Sequence, residues 1–172
     1  CNMLNNYLFG VNETVREYVR LTQELDARDT PVVLVLFGDH KPWMGNGGSV
    51  YEEMGIDFDT STLAGFRNYY ATPYLIWANR AAKEVLGADF TGDGGDFSPC
   101  FLMTRLFDAC GWAGSGYMQL SRAMRDISPL LHTNGLFLHD GVLTSVLSDT
   151  DRSFYRSWLA VQYYREHVAA YS

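Results

Sequence analysis

The spacing of apolar positions changes along the chain, and each change marks an element. Val11, Val15, Tyr18, Thr22 and Leu25 recur at intervals of three and four, which predicts one face of a helix. Asn12 is expected to cap its free amides, with Glu13 at the positive end of the dipole. From Val32 to Phe37 every position is apolar. Such a run predicts a strand buried on both faces, as in a parallel sheet covered by helices. A loop with Pro42, Gly45, Gly47 and Gly48 follows, and Ser49 is expected to cap a short helix over 50–54. Residues 56–68 read as irregular, and a second strand is expected at about 73–78, with Pro73 tolerated at its start. Asn79–Lys83 reads as a turn or a short helix.

The second half reads as more helical. Ser98-Pro99 predicts a cap followed by an N1 proline, opening a helix that runs to about Ala109. Another helix is expected at 117–126; Asn134-Gly135 and Asp140-Gly141 are turn dipeptides, and a hairpin is expected from 136–139 and 142–147. A last helix, capped by Thr150 or Asp151, is expected to bury Phe154, Trp158, Val161 and Tyr164. Helices alternating with apolar strands place the chain in the α/β class.

Composition narrows the function classes. With 172 residues, 47% hydrophobic and 15% aromatic, the chain is expected to form one domain with a real core. A net charge of −7 with only two lysines argues against a nucleic-acid partner, which would need clustered cations. No stretch reaches the apolar length of a membrane helix, and a soluble segment is expected. Cys1–Tyr7 does not read as a signal peptide, and without an initiator methionine the chain reads as a segment excised from a longer protein. Cys1, Cys100 and Cys110 have no metal-ligand spacing. Cys100 and Cys110 are expected to be buried as small hydrophobes.

The candidate chemistry lies where the first strand ends, at Gly38-Asp39-His40. In open α/β sheets ligands bind beyond the carboxyl ends of strands. A carboxylate beside an imidazole there can give two ligands to a divalent metal, and Gly38 would allow a tight turn. The same residues also suit a plain turn. Trp43 follows closely enough to line the mouth of such a site. His139-Asp140-Gly141 mirrors the pattern but reads as a hairpin turn, and Asp89, Asp93 and Asp96 lack the order of an EF-hand loop. No Gly-x-Ser-x-Gly elbow, Walker pattern or dinucleotide fingerprint is present.

The segment Val33-Leu-Val-Leu-Phe-Gly-Asp-His-Lys-Pro42 resembles the late strand and "GDH-x-P" motif of sulfatase-like enzymes related to lipoteichoic acid synthase, in the alkaline phosphatase superfamily. Thr72-Pro-Tyr-Leu-Ile-Trp-Ala-Asn79 is similar to the strand that follows in that family. Ser98-Pro99 and Leu159-Ala-Val-Gln-Tyr163 resemble its C-terminal part, whereas 105–150 match weakly. The resemblance implies that 1–172 is the C-terminal portion of an alkaline-phosphatase-like mixed sheet flanked by helices. It also implies a divalent metal, manganese first with magnesium, calcium or zinc as alternatives, and Asp39 and His40 as two of its ligands. A glutamate and the nucleophile would come from the upstream half of the domain, so this segment holds no catalytic residue and its metal can be absent in isolation. The implied substrate is a phosphate or sulfate ester, lipid-linked in the synthases, and the implied parent is a membrane protein with an extracytoplasmic catalytic domain. Two further expectations follow: a homodimer through surface exposed by the missing half, and, as the alternative to an enzyme part, a non-catalytic scaffold or binding module.

Overall fold

A computed structural model describes residues 2–168. The chain is mixed α/β and divides into two compact units, Cys1–Thr91 and Gly92–Ser172.

The first unit contains α1 (Asn2–Asp26), β1 (Val33–Phe37), α2 (Ser49–Glu53), α3 (Leu63–Tyr70), β2 (Tyr74–Ala78) and α4 (Arg80–Leu86). β1 and β2 pair antiparallel, from Val33 opposite Ala78 to Phe37 opposite Tyr74. The expectation of a parallel sheet is therefore corrected. An unbroken apolar run reports burial but not the direction of the neighbouring strand, and here Val33–Leu36 are only half-buried while Phe37 is exposed. Each sheet among the described residues has two strands, so a wider mixed sheet is not seen in them.

α1 begins ten residues before Asn12, which lies inside the helix. The apolar spacing extends upstream through Leu4, Leu8 and Val11, so the helix continues past Gly10. No residue of α1 is buried. Met3, Tyr7, Leu8, Val11 and Val15 are exposed along its first half. α3 falls where an irregular stretch was expected. Thr62 caps it by accepting the Gly65 N–H at 3.0 Å, and a Cβ at Gly65 would collide with the Asp59 carbonyl.

The second unit contains a 3-10 turn (Pro99–Phe101), α5 (Leu102–Ala109), α6 (Gly116–Ile127), a hairpin of β3 (Phe137–His139) and β4 (Val142–Thr144), and α7 (Asp149–His167). Phe101, Met124 and Trp158 form its core. The Trp158 indole N–H donates to Ser121 Oγ at 3.0 Å, which satisfies both buried groups. Ser98 does not cap the helix as expected. Its hydroxyl donates to the Leu131 carbonyl at 3.0 Å and accepts the Leu131 N–H at 2.8 Å, tying two loops together. α7 is capped by Ser148 rather than Thr150 or Asp151. Trp158 is buried as expected, but Val161 and Tyr164 are exposed. Cys110 is buried and Cys100 is exposed, against the expectation for the latter. Among the described residues no helix is long and apolar enough to cross a membrane.

Asp108 ties α5 to α6. Its carboxylate accepts from Arg122 Nε at 2.6 Å and from an Arg125 terminal nitrogen at 2.7 Å. Burial pushes the carboxyl up, but the hydrogen bonds and charges of Arg125 and Arg122 outweigh it and hold the pKa below the ordinary value. A depressed carboxylate pKa stabilises the fold above the unfolded-state value, and that stability is lost as pH falls through the folded-state value. Asp108→Asn is therefore expected to cost about 1–3 kcal/mol at neutral pH, because Arg125 loses its charged partner. Urea unfolding across an acid series should show the difference from wild type shrinking as pH falls; a constant difference would contradict this assignment.

Candidate metal centre

The site is built on the open end of the β1–β2 ribbon. Beyond Phe37 the ladder continues for one more residue, the Gly38 N–H donating to the Pro73 carbonyl at 3.0 Å. The Thr72 hydroxyl then donates to the Gly38 carbonyl at 2.7 Å. Gly38 is not in the left-handed region, so the tight turn expected of it is corrected to a close approach: a Cβ there would lie 3.1 Å from Thr72 Cβ. Fixed on both sides, the chain delivers Asp39 and His40 into solvent, with side chains 83% and 79% exposed.

The two side chains face each other, and their hydrogen bonds settle which atoms are free. Asp39 Oδ1 accepts the His40 backbone N–H at 2.8 Å. That bond, then the Asp39 N–H, then the nearby imidazole hold the Asp39 carboxyl below its ordinary pKa, so it is an anion. His40 Nδ1 lies 2.9 Å from the Lys41 carbonyl. A carbonyl can only accept, so this contact places a proton on Nδ1, and in the neutral ring the lone pair is then on Nε2. Nε2 and Asp39 Oδ2 are 3.6 Å apart. Two ligand atoms each about 2.1 Å from one ion lie roughly 3.4 Å apart in a tetrahedron and about 3.0 Å in an octahedron. The pair thus has nearly the bite of a chelating site, and its donor set suits manganese or zinc. A ligating histidine usually gives its other N–H to a carbonyl or carboxylate, and the Lys41 carbonyl fills that role. Among the described residues, no group of three or more His, Cys, Asp or Glu side chains is placed to hold a metal. Asp39 and His40 fit as part of a coordination shell.

The loop that follows is held at several points. The Lys41 ammonium donates to the carbonyls of Arg67 and Asn68 at the end of α3. The Tyr51 hydroxyl donates to the Pro42 carbonyl at 2.7 Å, and Met44 is buried. Trp43, between these anchors, is 72% exposed. It is on the loop that leaves Asp39 and His40 and presents an exposed aromatic surface.

Comparisons with family models, with curated proteins and with solved structures found no match. The weight therefore falls on the geometry of the site. His139 and Asp140 repeat part of it: Nε2 lies 3.6 Å from Asp140 Oδ2 and Nδ1 is 3.0 Å from the Ile127 carbonyl. This pair sits at a hairpin corner, with Asp140 in a left-handed conformation (φ 49°) beside Gly141, as a turn dipeptide requires. Asp93 accepts the Gly95 N–H at 2.8 Å, the local bond of a solvated turn. Sequence reasoning missed Thr72 and Lys41. Both stand inside the two motifs, Lys41 as the variable position of "GDH-x-P" and Thr72 before the strand proline, but neither position signals a contact of its own.

Proposed function

We propose that this chain is the C-terminal part of a metal-dependent domain that transfers or hydrolyses phosphate or sulfate esters, of the sulfatase and lipoteichoic acid synthase type. One observation carries the reading: Asp39 Oδ2 and His40 Nε2 converge at 3.6 Å on a solvent-facing strand end, with His40 Nδ1 turned to a backbone carbonyl. The "GDH-x-P" and Thr-Pro…Trp-Ala-Asn motifs add support, because the structure pairs the two strands that carry them.

Asp39 and His40 would hold the divalent cation, manganese first, with magnesium, calcium and zinc as the alternatives. The chemistry such a cation supplies when bound is withdrawal of charge from the ester oxygens and activation of a nucleophile. Within this chain, Asp39 contributes negative charge, the Lys41 carbonyl orients the His40 ring, and Trp43 offers an apolar wall for the non-reacting part of a substrate, including a lipid-linked one. The remaining ligands and the nucleophile belong, in this reading, to the upstream half of the same domain in a membrane-held parent facing away from the cytoplasm. The exposed apolar side chains on the first half of α1 are a surface for that half to cover, and a second copy would compete for it. A non-catalytic scaffold or binding module is the alternative.

The test is ester hydrolysis and transfer by the full protein that carries this segment, assayed with phosphate and sulfate esters before and after chelation. Activity that chelation removes and manganese restores is expected. Activity indifferent to chelation, or none with either ester class under metal, would favour the scaffold.

A further inference from the structure

We propose that Lys41 is a positioning residue: its backbone carbonyl sets the tautomer of His40, and its ammonium, anchored on the end of α3, keeps that carbonyl in place. The importance of this for a metal rests on the reading of Asp39 and His40 as ligands, but the tautomer itself does not.

The carbonyl and the ammonium of one residue make two contacts with different parts of the unit. The carbonyl oxygen lies 2.9 Å from His40 Nδ1. The ammonium donates to the Asn68 carbonyl and, at 3.3 Å, to the Arg67 carbonyl. Those carbonyls lie near the C-terminal end of α3, where orphan acceptors gather and the helix dipole favours a cation. The side chain of Lys41 is partly desolvated there, and burial lowers its pKa. Next in the chain is Pro42, which confines Lys41 to extended backbone conformations. The Pro42 carbonyl is itself held by the Tyr51 hydroxyl at 2.7 Å. The peptide carbonyl facing His40 is thus fixed by the lysine's own anchor on one side and by a tethered proline on the other. Were it released, the contact left to the ring among the described residues would be Asp39 Oδ2, 3.6 Å from Nε2, and a carboxylate there favours the proton on Nε2. A proton on Nε2 would remove the lone pair that faces the carboxylate.

Lys41→Met keeps the aliphatic stem and removes all three donors, whereas Lys41→Arg keeps donors that can reach the same carbonyls. The experiment reads the imidazole nitrogen chemical shifts of His40 in the metal-free chain, at a pH where the ring is neutral. Wild type and Lys41→Arg are expected to show the Nδ1–H form in excess, and Lys41→Met a shift toward the Nε2–H form with backbone amide shifts outside 38–45 and 66–70 unchanged. Manganese affinity should then fall about 10–100-fold in Lys41→Met and recover in Lys41→Arg. An excess of the Nε2–H form in wild type would overturn the proposal without any variant, and so would identical shifts in wild type and Lys41→Met. If the tautomer responds as expected but wild type binds no manganese, the positioning role stands and the metal reading fails.

Discussion

Asn79→Ala is expected to destabilise the first unit by about 3–5 kcal/mol. Asn79 is fully buried, and its amide group is bonded on both its oxygen and its nitrogen. Oδ1 accepts the N–H of Val32 and the N–H of Ala82, both at 2.9 Å. Nδ2 donates to the carbonyls of Leu25 at 3.0 Å and Thr30 at 2.9 Å, with a longer contact of 3.4 Å to Arg28. One side chain therefore joins the end of α1, the segment entering β1 and the first turn of α4. Truncation leaves the Val32 and Ala82 N–H groups without their acceptor, each costing about 1–3 kcal/mol before relaxation and water entry, and it also removes a helix cap. Asn79→Asp separates shape from chemistry. It keeps the oxygen that accepts both N–H groups, but it loses the donors and turns a buried negative charge toward three carbonyls. It is expected to be at least as damaging as alanine. Arg80→Ala, next in sequence, removes only exposed ion pairs to Asp29 and Glu84 and should stay within about 1 kcal/mol of wild type. Urea unfolding followed by the amide signals of β1 and β2 checks all three; an Asn79→Asp variant as stable as wild type would contradict the network.

Asp39→Ala and His40→Ala are each expected to lower metal-dependent ester turnover of the full protein about 10³–10⁴-fold, the equivalent of several kcal/mol of lost charge stabilisation. Stability should move by no more than about 0.5 kcal/mol, because both side chains stand in solvent. Loss of turnover with an unchanged unfolding curve is the signature of a site rather than of packing. Asp39→Asn refines the test. The amide oxygen can still accept the His40 N–H, as Oδ1 does at 2.8 Å, so the local turn survives while the charge is gone. It should resemble the alanine variant in turnover. Asp140→Asn, in the hairpin pair, should leave turnover unchanged. Equal losses at both pairs would show that neighbouring aspartate and histidine side chains at a turn carry no special role at Asp39 and His40.

What could be read in the sequence were features set by local chemistry. The first strand stops before Gly38 as expected, the second covers Tyr74–Ala78, α6 falls within one residue of its expected limits, and α5 ends at Ala109 as expected although a 3-10 turn replaces its first residues. The Asp39–His40 pair was legible because an apolar run stops abruptly at two ligand-type residues. Three things were not. The antiparallel pairing of β1 with β2 joins positions as far apart as Val33 and Ala78, and side-chain period carries no direction. α3 was hidden because it is only eight residues long, too short for the spacing of Leu63, Phe66 and Tyr70 to stand out, and part of its aromatic packing is to Phe58 outside the helix, 5.4 Å from Tyr69. The tautomer of His40 depends on the carbonyl of the next residue, and a backbone atom has no letter of its own in a sequence.

The central claim is that Asp39 and His40 together face a divalent cation. The most direct test is titration of Mn²⁺ into isotope-labelled chain, with paramagnetic broadening of amide signals as the readout, because it locates the ion even when two ligands bind it weakly. The account predicts that broadening begins at Asp39, His40 and Lys41 and vanishes from them in His40→Ala. Broadening that starts at residues 89–96 or at His139-Asp140, or that is the same in wild type and His40→Ala, would contradict it.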